Sequence, residues 1–146
     1  MDQMTFALIG FGSLKLLIPQ RAIATIEMID GLDRISDAGN AVANLSVAGR
    51  QWPVFAPDAG FGLQASIAET SKYCVAFDVD GQAAFAFACD EVSSLTLVAG
   101  ESIDPLPECL RGPGSPFQGM LLRDGQVMFF CSEQSMNQYL VVDEAA

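Results

Sequence analysis

Short apolar runs broken by tight-turn signals dominate the chain. Asp80-Gly81 and Asp124-Gly125 each sit between two apolar runs, the strongest short-range signature of a two-residue β-hairpin. "VAGRQ" at 47–51 predicts a third hairpin, with Gly49 able to take a positive φ, and "GFGSLK" at 10–15 a looser fourth. The flanking runs predict strands over Thr5–Ile9, Lys15–Ile18, Val42–Val47, Gln51–Phe55, Tyr73–Val79, Ala83–Cys89, Val92–Val98, Gln118–Leu122 and Val127–Cys131. So many short strands joined by turns point to a mainly β sandwich or barrel. Helix is sparse. From Ser132, a capping residue, "SEQSMNQYLV" places Met136, Tyr139 and Leu140 on one helical face. Arg21–Ile29 is ambiguous: Ile23, Ile26 and Ile29 fit a helix, while β-branching favours a strand. Residues 101–117 carry four prolines and read as a long loop.

The central hairpin raises a burial question. Phe85 and Phe87 share one face of their strand, and Ala84, Ala86 and Ala88 share the other. Both faces are apolar, so both need cover. The expected arrangement has the phenylalanines filling a barrel while the shallow alanine face lies against a second layer, either another barrel or a partner.

At 146 residues the chain suffices for one domain with a core. With 51% hydrophobic and 17% charged residues it lies outside the disordered class. Eighteen acidic against seven basic residues give a net charge of −11, which argues against nucleic acid or an anionic bilayer as partner and leaves solubility or a basic protein partner. The opening "MDQMTFALIGFG" has an acid where a secretory signal has basic residues, and there is no uninterrupted membrane-spanning run. The expected location is the cytoplasm, with no membrane insertion. Cys74, Cys89, Cys109 and Cys131 are then expected as free thiols, their spacing matching no metal or redox motif.

Candidate chemistry is thin. With no histidine, the commonest general base and every Ser-His or Cys-His nucleophile system are excluded, together with His-built zinc sites. No phosphate-binding glycine motif occurs, and the prolines of "RGPGSPF" at 111–117 remove amide donors that a phosphate cradle needs. Asp58, followed by Ala-Gly after a β run, resembles an aspartic-protease loop, but that chemistry needs a second carboxylate, which a second chain in a symmetric dimer could supply, and the triplet is common by chance. Asp90 and Glu91 are adjacent strand residues and point apart, so they do not converge on one atom. No catalytic or metal site is expected and no cofactor. The alternative to a docking protein is a small-molecule-binding barrel with a pocket at Phe85 and Phe87, or a hydrolytic one using Asp58. Among surfaces, the hairpin carrying Arg50, Trp52 and Phe55 is the best interface candidate, because Arg and Trp are enriched at binding hot spots; Trp52 as a core aromatic is the competing reading.

The order of these features resembles the CheW-like domain, the coupling fold of bacterial chemotaxis, from about Thr5 to Leu140. "FALIGFGSLKLLIPQRAIATIEMI" is similar to that family's first hairpin and Ile-rich stretch. "NLSVAGRQWPVFAPDAGFGL" resembles its central segment through Asn44, Leu45, Pro53 and Val54. "YCVAFDVDGQAAFAFACDEVSSLTLV", with Asp80-Gly81 and then Asp90 and Val92, is the nearest stretch, and "SPFQGMLLRDGQVMFFCSEQSMNQYL" resembles the last hairpin and terminal helix. The resemblance implies two intertwined five-stranded β-barrels in a single domain over 1–146, with a short C-terminal helix. It also implies a non-catalytic adaptor that docks the regulatory domain of a CheA-type histidine kinase and the cytoplasmic tip of a chemoreceptor, in chemotaxis or a type IV pilus pathway. Partner contacts are expected at Asn44, Leu45, Arg50, Trp52, Val54, Asp80 and Gly81. Ser46-Val47 stands where the family usually carries Arg-Gly, so receptor contacts are not carried over to that segment.

Overall fold

The computed structural model describes residues 5–32, 41–58, 67, 69–98, 100–106 and 116–145. Its strands are β1 (Thr5–Phe11), β2 (Leu14–Pro19), β3 (Ile23–Met28), β4 (Ala43–Val47), β5 (Arg50–Phe55), β6 (Tyr73–Val79), β7 (Gln82–Cys89), β8 (Glu91–Thr96), β9 (Asp104–Pro105), β10 (Gly119–Arg123) and β11 (Gln126–Phe130). One helix, α1 (Glu133–Ala145), follows. The ambiguous stretch after β2 resolves as a strand, β3, between single 3₁₀ turns at Gln20–Ala22 and Ile29–Gly31, so β-branching outweighs the helical spacing. Within the proline-rich loop, β9 is an addition the sequence did not suggest. It is a two-residue edge strand, where Pro105 needs no ladder donor, and its approach requires Gly119, whose Cβ would lie 2.5 Å from Ile103 Cγ2. Residues 107–115 of that loop, with Cys109, lie outside the described residues.

The strands form two sheets, ordered β8-β1-β2-β11-β10-β9 and β3-β6-β7-β5-β4. Apart from β9, both follow one plan. A hairpin (β1–β2, or β6–β7) gains an antiparallel neighbour on its first strand (β8, or β3). Its second strand pairs in parallel with a further hairpin (β10–β11, or β4–β5). The first sheet is drawn from both ends of the chain and the second from its middle, so the two units are intertwined. The hairpin turns behave as the sequence suggests. Ala48-Gly49, Asp80-Gly81 and Asp124-Gly125 each have both residues at positive φ, which matches strand twist in a two-residue loop.

Three apolar clusters fill this frame. Phe6, Leu8, Leu17, Leu95, Leu121 and Met128 lie within the first sheet, and Leu45, Trp52, Val54, Cys74, Ala76, Ala86 and Ala88 within the second. Between the sheets lies the largest cluster, built from Ile9, Phe11, Leu16, Ile18, Phe55, Phe77, Phe85 and Phe87. The central hairpin is therefore covered on both faces, as its composition requires, but with the faces exchanged. Phe85 and Phe87 meet the opposite sheet, and Ala86 and Ala88 line the inside of their own curled sheet. A separation of about 10 Å between stacked sheets takes large side chains, whereas inside the second sheet Trp52 occupies the space that small residues on β6 and β7 leave. Ala84 departs from the alanine face altogether. A register shift between Phe77 and Asp78 makes it a bulge residue, so Ala83 joins the inner cluster and Ala84 packs toward the phenylalanines.

Helix α1 seals one end of the shared core. Ser132 Oγ accepts the Ser135 amide at 3.1 Å, the expected N-cap, and Met136 and Leu140 are buried against the phenylalanine cluster. Arg21 donates to Glu133 at 2.7 Å, tying the turn after β2 to the start of the helix. On the first sheet side chains tie β10 back to the edge strand β8. Arg123 on β10 donates to the Thr96 carbonyl of β8 at 3.1 Å and through Nε to Glu101 at 2.8 Å, with a further ion pair through its Nη2. The Arg123 hydrogen bonds hold the Glu101 carboxyl down at about 2.

Two predictions follow from this packing. Ala86 is 0% exposed, so Ala86→Glu, which strands a carboxylate beside Trp52, should cost about 4 kcal/mol or more and leave little cooperative unfolding in a urea titration. Glu101 titrates near 4.5 when unfolded, so its ionised form stabilises the fold fully above that value, and the contribution disappears as pH falls to about 2. Glu101→Gln should therefore be less stable than the parent at pH 7, and the gap should close between pH 4.5 and 2; a gap independent of pH in urea midpoints would refute the linkage.

Candidate docking surface

The second sheet curls around one side chain. Trp52, on β5, lies across the small residues of β7 and reaches β6, where its indole N–H donates to the Phe77 carbonyl at 3.2 Å. That carbonyl sits at two neighbouring register shifts, one between β6 and β7 and one between β3 and β6, where the ladder is interrupted. The same N–H lies 3.3 Å from Asp78 Oδ1, which accepts from Arg50 Nη2 at 2.6 Å, and the Arg50 guanidinium stands 4.7 Å above the indole ring. Arg50 thus caps the open end of the curl, holding Asp78 by charge and Trp52 by a cation–π contact.

This geometry divides the residues expected at a partner interface. Leu45, Trp52 and Val54 are at most 2% exposed and belong to the inner cluster, so they present no side-chain surface to a partner; the reading of Trp52 as a core aromatic is the correct one. What remains accessible is Asn44 and Arg50 at half-buried positions, and the exposed turn Asp80-Gly81. Asp80 lines a shallow cleft of about 400 Å³ with Val79, Gln82, Ala83, Ala84 and Asn137. Asn137, on α1, was not singled out in the sequence, because nothing local shows that the helix returns to the β6–β7 turn.

The catalytic alternatives gain no support. Phe85 stacks on Phe77 with ring centroids 5.1 Å apart, and Phe87 meets Phe11 at 5.5 Å, so packed rings occupy the proposed pocket. Asp58 is exposed, and the Ala59-Gly60 that completes its triplet lies outside the described residues. Asp90 and Glu91 do diverge: Asp90 accepts the Gly12 amide at 3.1 Å, while Glu91 pairs with Lys15. Cys74, Cys89 and Cys131 are buried and free, and burial pushes all three thiols up, Cys74 to about 12, so they are poor nucleophiles at neutral pH. Among the described residues, no group of three or more Cys, Asp or Glu could hold a metal ion, and no helix is long and apolar enough to cross a membrane.

Two intertwined curled sheets around a shared core, closed by a terminal helix, can be compared with known proteins as a whole. No family model matches the chain, and no curated protein does. Among solved structures it is similar to the scaffolding protein TtCheW from Thermoanaerobacter tengcongensis, with a TM-score of 0.69, 13% sequence identity and coverage of 89% of each chain. The fold is CheW-like. Identity this low leaves the CheW-like likeness one of backbone and packing, and each functional residue has to be argued from this chain's own geometry.

The Arg50 cluster makes one such argument testable. Arg50→Met keeps an aliphatic body over the indole and loses the charge, and should cost about 1 kcal/mol, the scale of a partly exposed ion pair with a cation–π contact. Arg50→Glu, which faces Asp78 with a like charge, should cost more. Urea unfolding followed by the emission of Trp52, the chain's one tryptophan, measures both, and equal midpoints for parent and Arg50→Glu would show that the cap contributes nothing.

Proposed function

We propose that the chain is a non-catalytic signalling adaptor of the cytoplasm that works by docking as one domain. Its partners in this reading are the regulatory domain of a CheA-type histidine kinase and chemoreceptor cytoplasmic tips, in a chemotaxis or type IV pilus pathway. The single observation that carries the reading is the CheW-like two-sheet fold shared with a scaffolding protein over nearly its full length. Chemistry agrees with it: the chain has no histidine, and its described thiols are buried. The surface Asn44, Arg50, Asp80 and Gly81 offer is polar and small, suited to the rim of an interface, where charge sets approach and register more than affinity. Ser46, exposed on β4 where the family usually has Arg, gives no reason to place receptor contact on that strand.

Calorimetric titration with the regulatory domain of a CheA-type kinase encoded in the same genome should give a saturable equimolar complex. Asp80 holds a φ of +53°, which Asn also tolerates, so Asp80→Asn removes the charge and keeps the turn. That variant should associate more slowly and with a flatter salt dependence. No complex with kinase domain or receptor tip at any ionic strength would sink the adaptor reading.

A further inference from the structure

The two sheets share a plan, which allows their hairpins to be compared position by position. Counting back from turns of equal length, β10–β11 superimposes on β4–β5: Leu121 and Met128 take the places of Leu45 and Trp52, each pair facing the inside of its sheet. On the outer face the two hairpins differ. The second sheet carries Asn44 opposite Pro53 and Ser46 opposite Gln51. The first carries Met120 opposite Phe129 and Leu122 opposite Val127. Leu122 is 62% exposed and Val127 39%. This face continues that of Leu16, which the second sheet covers, since β11 pairs with β2 through Phe129 and Leu16. Past Phe129, against which Phe117 packs at 5.2 Å, the outermost pair is left open.

The fold does not demand apolar residues there, because the equivalent hairpin has the same backbone with Ser46 and Gln51. Two large aliphatic residues side by side at exposed positions, continuing an apolar face, form the kind of patch that marks a protein–protein contact. The margins state what kind. Asp104, exposed, sits beside Met120 on β9, and Asp124 is exposed at the turn. Arg123, the hairpin's one basic residue, is engaged with Glu101. A second copy would bring acidic margins and two bodies of net charge −11 together.

We propose that the outer face of β10–β11, centred on Leu122 and Val127 and extended by Met120 and Phe129, is a docking surface for a partner protein whose contact face presents aliphatic or aromatic side chains bordered by lysine or arginine. The proposal deepens the adaptor reading by assigning it a face, distinct from the Arg50 and Asp80 region.

The test places a benzophenone amino acid at Leu122 of the full chain in its native cell, followed by irradiation and mass spectrometry. A crosslink to a different protein, at an apolar surface flanked by basic residues, is the expected result. The complex with that protein should weaken tenfold or more in Leu122→Ser/Val127→Gln, which copies the residues the equivalent hairpin already tolerates, and should weaken as salt is raised. The parent melting temperature, retained in that double variant, separates lost docking from lost fold. A crosslink only to a second copy, only within the chain (to 107–115, for example), or to nothing overturns the proposal, as does unchanged binding by the double variant. If the parent binds the kinase domain and the double variant binds it equally, with no crosslink, this face is wrong and the adaptor reading stands. If the parent binds no kinase domain but the crosslink and its salt dependence hold, the reverse is true.

Discussion

The second sheet depends on a hydrogen bond between the Trp52 indole and the Phe77 carbonyl, beside two register shifts. Trp52 reaches Phe77 only because β7, lying between β5 and β6, presents Ala86 and Ala88 to the inside. Larger residues there would push the indole outward and take its N–H away from the Phe77 carbonyl, at a cost of about 1 kcal/mol for the lost hydrogen bond. Register shifts of this kind curve a sheet, so the irregularity that shapes the curl lies beside the acceptor that secures it. The alanines are small for the sake of Trp52, and the phenylalanines on the reverse are large because they span the gap to a separate sheet.

That relation explains what could be read from the sequence and what could not. Turn chemistry is local, so the hairpins at Asp80-Gly81, Asp124-Gly125 and Ala48-Gly49 were legible, as was the Ser132 cap. That both faces of the central hairpin need cover also follows from composition alone. Which face meets which layer does not, because it depends on how tightly the sheet curls, and the curl depends on bulges that leave no mark in the residue pattern. Ala84 shows the limit: strict alternation assigns it to the alanine face, and a single register shift moves it to the other. For Trp52 the sequence leaves core and interface both open, and burial beside Asp78, which only the fold brings to it, decides for the core. The missed Asn137 is a purely tertiary neighbour.

The two sheets put the same problem, closing a short hairpin over a small interior, to different chemistry. The second uses an aromatic inside with Arg50 and Asp78 at the mouth. The first fills its interior with Leu121 and Met128 and ties β10 back to the edge strand β8 through Arg123, Thr96 and Glu101. Both place an arginine next to the turn of the equivalent hairpin, Arg50 just after it in one and Arg123 just before it in the other, and both tie it to a carboxylate from elsewhere in the chain. On a chain with so few cations, four of them (Lys15, Arg21, Arg50 and Arg123) are tied to carboxylates, and a surface that recognises a partner through basic residues of its own is therefore scarce. Attraction between this acidic body and a partner has to be supplied by the partner's lysines and arginines.

Similarity to TtCheW at 13% identity is intelligible in these terms. What the backbone plan requires is a short list: turns that accept positive φ, apolar residues inside each sheet, large ones between the sheets, and a capped helix over the end of the shared core. Each requirement is met by a class of residue, and many sequences satisfy all of them, so two chains can share the fold with little residue-by-residue likeness. Binding surfaces escape these constraints. Ser46 and Leu122 occupy equivalent, exposed places on two copies of one hairpin, and the packing tolerates either chemistry. Differences at such positions, rather than the packing common to both sheets, are where a docking protein built on this plan would record which partner it meets.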